Sequence, residues 1–401
     1  MRLVVVSGVI HYRHQGELWA YGPYVREIEM WADLFSELRL AAACREQEPP
    51  GDCLPIRRTN VSISPKIEAG GRDAVHKLSY LWKLPVLIWQ LVCDIARADA
   101  VHVRCPANMA LLGVILAPVF SRRLVAKYAG QWIPYPGEPL TVKLQRALLA
   151  SRWWRGPVTV YGEWPSQPAH VIPFFTSAMN EAQVASAQAS SVRKRFDGRL
   201  RVLYVGRLSR AKNVDVVLRA VAQANAAGAG LTCTVAGTGS ELGSLRQLAA
   251  RLGIEECVEF TGGIGYEKVL DQFERAHVLV LVSESEGWPK ALVEAMTYGL
   301  LCIGSQRGLI PQLLGSGRGL VVPPGDVEAT SCLLSRIAAD PLTYVPMSRA
   351  AAAWAQGFSL ERLRDELRDL IERAWGCRLD AEHFAGSPTR VGEKEVSNHA
   401  V

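Results

Sequence analysis

Apolar residues fall along the first half of this chain in short continuous runs, at 2–6, 38–43, 101–103, 123–127 and 157–161, with helical patterns between them. Short runs without alternation mark strands buried on both faces. Gly22-Pro23 opens a helix over 24–37, where Ile28, Trp31, Leu34, Phe35 and Leu38 repeat with the period of one helix face. Residues 76–97 are helical by the same test, with an interruption expected near Pro85. A second series of apolar runs follows at 201–205, 231–235, 257–260, 277–282, 300–303 and 319–322. Strands alternating with helices at this spacing predict parallel sheets. The expected architecture is α/β, with two Rossmann-like domains and a cleft between them.

Between the two series, residues 180–198 are rich in Ala, Ser and Gln and end near Arg193-Lys194-Arg195, a helix and connector by composition. The expected division is therefore a first domain over 1–178, a linker over 179–199 and a second domain over 200–358. A charged helix over 359–377 should return to the first domain, and a polar tail over 378–401 should be disordered.

Composition narrows the function classes. The chain has 401 residues, more than one typical core accommodates, which agrees with two domains. Nine scattered cysteines without a C-x-x-C read as buried thiols, not disulfides or metal ligands. Met1-Arg2 leads straight into Leu-Val-Val-Val-Ser-Gly, so no signal peptide is expected. The longest apolar run, 107–120, falls short of the roughly twenty residues that a membrane span needs, so a buried helix and a cytoplasmic protein are expected. The net charge of +6 is uneven: Arg122, Arg123, Lys127, Lys143, Arg146, Arg152 and Arg155 face only Glu138 within 121–160, interleaved with Trp132, Trp153 and Trp154. Such a stretch suits peripheral contact with an anionic membrane, or else solvated helix faces with tryptophans turned into the core. No zinc-finger or RNP signature accompanies it, so a nucleic-acid partner is not expected.

The most informative segment reads Glu284-Ser285-Glu286-Gly287-Trp288-Pro289-Lys290-Ala291-Leu292-Val293-Glu294. It follows a buried strand, passes a glycine, and starts a helix near Pro289. A helix N-terminus at the carboxyl edge of a parallel sheet suits an anion. Glu286 on the loop and Glu294 about one and a half turns into the helix suit hydroxyl groups on either side of it. Glu294 also stands at i,i+4 from Lys290, as a surface ion pair would. Strand 201–205 ends in Gly206-Arg207-Leu208-Ser209-Arg210-Ala211-Lys212, which brings two cations, Arg207 and Lys212, to the same edge. Gly237-Thr238-Gly239 imitates a dinucleotide fingerprint but follows the domain's second strand, so it reads as a tight turn and not as an NAD site. Phe260-Thr261-Gly262 closes the third strand in the same way.

These motifs, in this order, resemble the donor domain of the family-4 retaining glycosyltransferases of the GT-B fold (glycosyltransferase group 1 type). The residues that carry the resemblance are Gly206-Arg207-Leu208 with Lys212, Gly237-Thr238-Gly239, Phe260-Thr261-Gly262, Glu286-Gly287-Trp288 with Glu294-Ala295, and Val322-Pro323-Pro324-Gly325-Asp326. It covers residues 200–377 closely and 1–180 more loosely. The resemblance implies that Arg207 and Lys212 hold the diphosphate of a nucleotide sugar and that Glu294 binds the ribose hydroxyls. It further implies that Glu286 and the backbone of Gly287, Trp288, Pro289 and Lys290 surround the donor sugar. Arg207, Lys212 and Glu286 are then the catalytic candidates. Gly206, Gly237, Gly239 and Gly262 line the nucleotide's path. No metal and no cofactor is implied, the nucleotide sugar being a substrate.

On the first domain, Gly16 and the segment to Pro23 stand where relatives place a glycine-rich loop over the diphosphate. Arg104, Gly130 and Gln131 end expected strands and should border the cleft. His11 follows the first strand, either as an ordinary loop histidine or as a base in an inverting relative. Three departures concern the acceptor side: Ala129-Gly130-Gln131-Trp132 stands where relatives carry Thr-x-His-Asp, Pro173-Phe174-Phe175-Thr176 where they carry Asn-Gly-Val-Asp, and Gln312 where an acid is usual. Glu284 receives no role.

The expected function is a nucleotide-sugar-dependent hexosyltransferase that acts with retention on a saccharide or lipid-linked saccharide in cell-surface polysaccharide or glycoconjugate biosynthesis. An epimerase on the same fold, a non-catalytic nucleotide-binding scaffold and, on the weak glycine match at 237–243, a dehydrogenase stand as alternatives.

Overall fold

In the computed structural model, which describes residues 1–68, 74–135, 137–196 and 198–379, the apolar runs of the first half become adjacent parallel strands. Their spatial order is Val158–Tyr161, Leu124–Tyr128, Ala100–Cys105, Arg2–Ser7, Glu37–Arg45. Helices Ala74–Ala96, Asn108–Phe120 and Leu140–Ala150 share one core with Val4, Val6 and Val103. Helices Gly22–Ala32 and Leu360–Trp375 cover the other face, around Leu3, Val5, Ile28, Trp31, Leu363 and Leu367. Alternate residues of one strand thus serve opposite cores, so the runs show no polar face.

Several expectations need correction here. The first helix stops at Ala32, not 37: Leu34 and Phe35 are buried in the turn, and Glu37 already pairs with Arg2 in the sheet. The helix from Ala74 runs through Pro85 to Ala96 without a break. Pro85 is exposed, on the outer face of the helix. Residues 17–21 form a strand, Glu17–Tyr21, in a hairpin with His11–His14, and not a loop. Cys53–Pro55, Val61–Lys66 and Val171–Phe174 are further strands outside the expected set.

The second sheet has six parallel strands in the order Val258–Gly262, Thr232–Ala236, Arg201–Val205, Val278–Leu281, Leu301–Ser305, Leu320–Val322. The order reverses between Arg201–Val205 and Val278–Leu281, and the loops after these two strands part to leave a crevice, as at any topological switch point. The loops after the first three strands are joined by backbone hydrogen bonds, Gly206 N–H to Ala236, Leu208 N–H to Thr238, and Gly237 N–H to Gly262. A Cβ at Gly237 or Gly239 would lie 1.9 Å from the Gly206 carbonyl oxygen or 2.1 Å from that of Leu208. The Gly-x-Gly spacing is therefore what lets two loops touch.

Within 179–199, helix Glu181–Arg193 is no free connector: Asn180 and Gln183 form a capping box, and Val184 and Ala187 enter the core of the second domain. The chain crosses between domains twice, side by side. Ser177 Oγ donates to the Phe358 carbonyl at 2.9 Å, and Leu360 N–H donates to the Met179 carbonyl at 2.9 Å. Of the tail expected to be disordered, Leu379 is buried against the first domain, and residues 380–401 lie outside the described residues. No helix among the described residues is long and apolar enough to cross a membrane.

Candidate functional site

The crevice gathers the second-domain candidates. Arg201–Val205 passes through Gly206 into a turn, Arg210–Lys212, while Val278–Leu281 leads through Glu286 into helix Lys290–Thr297, with Pro289 at its N-cap. Lys212 Nζ lies 2.5 Å from Glu286 Oε1, both side chains mostly buried. Arg207 is exposed at the loop tip, and no carboxylate pairs with it among the described residues; its carbonyl accepts from the Tyr204 hydroxyl at 2.9 Å. Glu284, to which the motif reading assigned nothing, joins the two loops. Its N–H donates to the Ala211 carbonyl, and its Oε1 accepts from Asn213 Nδ2 at 2.9 Å. Asn213 also donates to the Val282 carbonyl from a left-handed backbone, φ +50°.

Glu294 is buried, and its Oε1 accepts from the Tyr266 hydroxyl at 3.0 Å. Burial raises its carboxyl above the usual range, against the Tyr266 hydrogen bond and the charges of Lys290 and Arg26. The Arg26 guanidinium, on the first domain, sits 3.8 Å from the centre of the Tyr266 ring, a cation–π contact across the cleft. Lys290 does not form the i,i+4 ion pair with Glu294. Its Nζ reaches across to the Pro23 carbonyl at 3.4 Å, and burial lowers its pKa to about 8 while the Glu27 charge opposes.

Like Tyr266, Glu27 is a residue that motif reasoning missed. Wholly buried on helix Gly22–Ala32, it accepts from Arg104 and from Lys127, each at 2.8 Å. Burial opposes its ionisation, but the charges of Arg104, Lys127 and Lys290 prevail and hold the carboxyl well below its usual range. Three cations around one carboxylate leave this part of the cleft positive. A signal did exist: Glu27 stands on the same helix face as Tyr24, Ile28 and Trp31, where an acid needs a partner.

The remaining candidates are dispersed. A Cβ at Gly287 would lie 2.8 Å from the Ala129 carbonyl oxygen, so this glycine lets the loop before the helix meet Ala129-Gly130 of the first domain. Gln131 Nε2 donates to the Ile133 carbonyl at 3.5 Å. The Trp288 ring packs in the domain seam on Tyr161 and Phe358, at 5.7 and 5.6 Å between ring centres. Gly16 is at the hairpin turn with open space around it, and the glycine-rich loop expected from it to Pro23 is the strand described above. His11 is a fully buried strand residue with its ring edge-on to Tyr24, and burial lowers its pKa to about 4. Among the described residues no three His, Cys, Asp or Glu side chains gather as a metal site.

Gln312 ties the domains together. Its Oε1 accepts from the Glu163 N–H at 3.0 Å and its Nε2 donates to the Glu163 carbonyl at 2.8 Å, a pairing that uses both ends of the amide. Glutamate has no donor for that carbonyl. Gln312→Glu is expected to cost about 1 kcal/mol and lower the melting temperature of the ligand-free protein by roughly 2–4 °C. An unchanged melting curve would show that the pairing contributes nothing.

Residues 187–354 match the family model described as glycosyl transferases group 1. The second domain belongs to that family. This glycosyl transferase group 1 domain is 34% identical over 182 residues to a D-inositol 3-phosphate glycosyltransferase of Streptomyces avermitilis, covering 43% of this chain and 39% of that one. An amylovoran biosynthesis glycosyltransferase of Erwinia amylovora, AmsK, is 29% identical over 43% of this chain and 45% of its own. The chain thus spans less than half the length of most of the curated relatives it matches. In structure the likeness extends to both domains. Sucrose-phosphate synthase from Thermosynechococcus elongatus superposes with a TM-score of 0.69 at 20% identity, over 94% of this chain and 99% of that one. HepE of Anabaena, in complex with UDP and glucose, gives 0.64 at 16% identity, over 92% and 99%. The fold is the two-domain GT-B arrangement.

Proposed function

We propose that this chain transfers a sugar from a nucleoside diphosphate sugar to a hydroxyl of a saccharide or lipid-linked saccharide, with retention of configuration, in the assembly of a cell-surface polysaccharide or glycoconjugate. The carrying observation is the Lys212–Glu286 pair at the switch point, 2.5 Å apart, with the buried Glu294 eight residues further on. Relatives named for amylovoran biosynthesis and a fold neighbour holding UDP and glucose support the same reading.

The donor's diphosphate takes the place of Glu286 as partner to Lys212, with Arg207 beside it and the helix Lys290–Thr297 pointing its N-terminus at the anion. Glu294 accepts from the ribose hydroxyls, and Glu286, released from Lys212, accepts from the sugar. The anomeric carbon's bond to the phosphate oxygen breaks, and the electron pair leaves with the nucleoside diphosphate. The acceptor oxygen then bonds to that carbon from the same face, and its proton passes to the departing phosphate oxygen. No cofactor is needed. We place the reaction on the cytoplasmic side of the cell, against an anionic membrane contacted through residues 121–160.

Thermal shifts and product analysis with UDP-, GDP- and ADP-sugars test the proposal, and binding of none of them would end it. Glu294→Ala is expected to weaken donor binding about tenfold or more, the loss of hydrogen bonds to a charged acceptor being worth about 1.5–3 kcal/mol. An epimerised donor formed without acceptor would favour the epimerase, and binding without turnover the scaffold.

A further inference from the structure

The helical layer over Val4 and Val6 turns large apolar side chains outward. Trp82 and Trp89, 83% and 68% exposed, stand seven residues apart on one stripe of helix Ala74–Ala96, while Leu87 and Leu91 between and beyond them are wholly buried. Phe120 is exposed at the end of the adjacent helix Asn108–Phe120, and Leu140 and Leu144 on the third. Trp153 completes the surface: its indole N–H donates to the Val114 carbonyl at 2.9 Å, which clamps the segment after the third helix onto the second. Nine of the fourteen large apolar side chains exposed among the described residues lie on this layer.

The same surface carries exposed Lys83, Arg122, Lys143 and Arg152. The nearby acid, Glu138, is buried in an ion pair with Arg146 and cancels none of them. A face of one sign disfavours a two-fold contact with a second copy, since such a contact sets the patch against itself. It matches an anionic bilayer: tryptophan rings settle at headgroup level, long basic side chains lay their stems on the apolar surface with the charge outward, and each cation gains near an anionic leaflet.

We infer that the whole three-helix layer, and not the 121–160 stretch alone, is a membrane-docking face for an anionic lipid surface. The inference extends the membrane contact proposed above and does not depend on the sugar chemistry. Crossover helices begin at the carboxyl edge of their sheet, so Leu140 marks the cleft end of the layer. The cleft therefore opens beside the bilayer, where a lipid-borne acceptor presents its head.

The test is co-sedimentation with vesicles of phosphatidylcholine alone and with about 30 mol% phosphatidylglycerol. The expected result is binding to the anionic vesicles only, weakened by salt. It should fall at least tenfold in Trp82→Gln/Trp89→Gln and in Arg122→Glu/Arg152→Glu, with melting temperatures kept. Wild-type protein that stays in the supernatant, or variants that sediment as it does, would overturn the inference. So would a concentration-dependent dimer abolished by the tryptophan pair, which would make this face a self-contact. Nucleotide-sugar binding, measured on the same samples, reports on the donor site separately: its absence would condemn the donor reading and leave the docking face standing.

Discussion

Lys212→Ala is expected to slow sugar transfer by on the order of 10²–10³ while changing the donor KM far less. The reason is where charge develops. In the proposed reaction the donor's diphosphate is anionic from the start, but the oxygen that leaves the anomeric carbon gains its charge only as the bond breaks. A cation placed there therefore favours the transition state over the bound donor. Lys212 is already positioned, held against Glu286 at 2.5 Å by two loops that Asn213 and Glu284 tie together. Lys212→Arg should rescue little, since a planar fork does not replace a compact ammonium in that gap. Steady-state kinetics decide the matter: a kcat within threefold of wild type in Lys212→Ala would remove the residue from the chemistry.

Glu27→Ala is the larger perturbation of stability, at about 3–5 kcal/mol, because it leaves Arg104 and Lys127 buried around an absent carboxylate. The pH dependence has a definite sign. Because the folded carboxyl is held below its usual range, its contribution is complete above the unfolded value and is lost as pH falls toward the folded one. In denaturant titrations, the gap between wild type and Glu27→Gln should stay constant from neutrality to about pH 5 and close below about pH 4. A gap independent of pH down to strong acid would mean that the charge of Glu27 is not what matters.

How much of this was legible depended on burial. The second sheet was readable nearly strand by strand because its central strands, Arg201–Val205, Val278–Leu281 and Leu301–Ser305, are largely covered on both faces and so appear as apolar runs. The first sheet's edge was not: His11–His14 and Glu17–Tyr21 mix buried and exposed positions within a few residues, and a short edge strand has no period to detect. In the site, Lys212 and Glu286 were found because each lies in the loop that follows a strand, with a glycine, Gly206 or Gly287, in the same loop. Tyr266 and Glu27 were missed because each acts on a residue from a different element, Glu294 and Arg104, 28 and 77 residues further along, and no local spacing records such a partnership. Gln312 read as a departure from pattern; its amide turned out to need both of its functions.

The two crossings that lie side by side at Ser177 and Phe358 make the second domain an insertion. The first domain is closed by helix Leu360–Trp375, whose Leu363, Leu367 and Ile371 cover Leu3, Val5 and Trp31. During synthesis that cover is made last, after every strand of the second sheet has left the ribosome. The second domain has its full core by then, while the first still exposes one apolar face of its sheet. The order of emergence thus makes the second domain the earlier one to fold, and it leaves the first domain dependent on helix Leu360–Trp375, which is made after it.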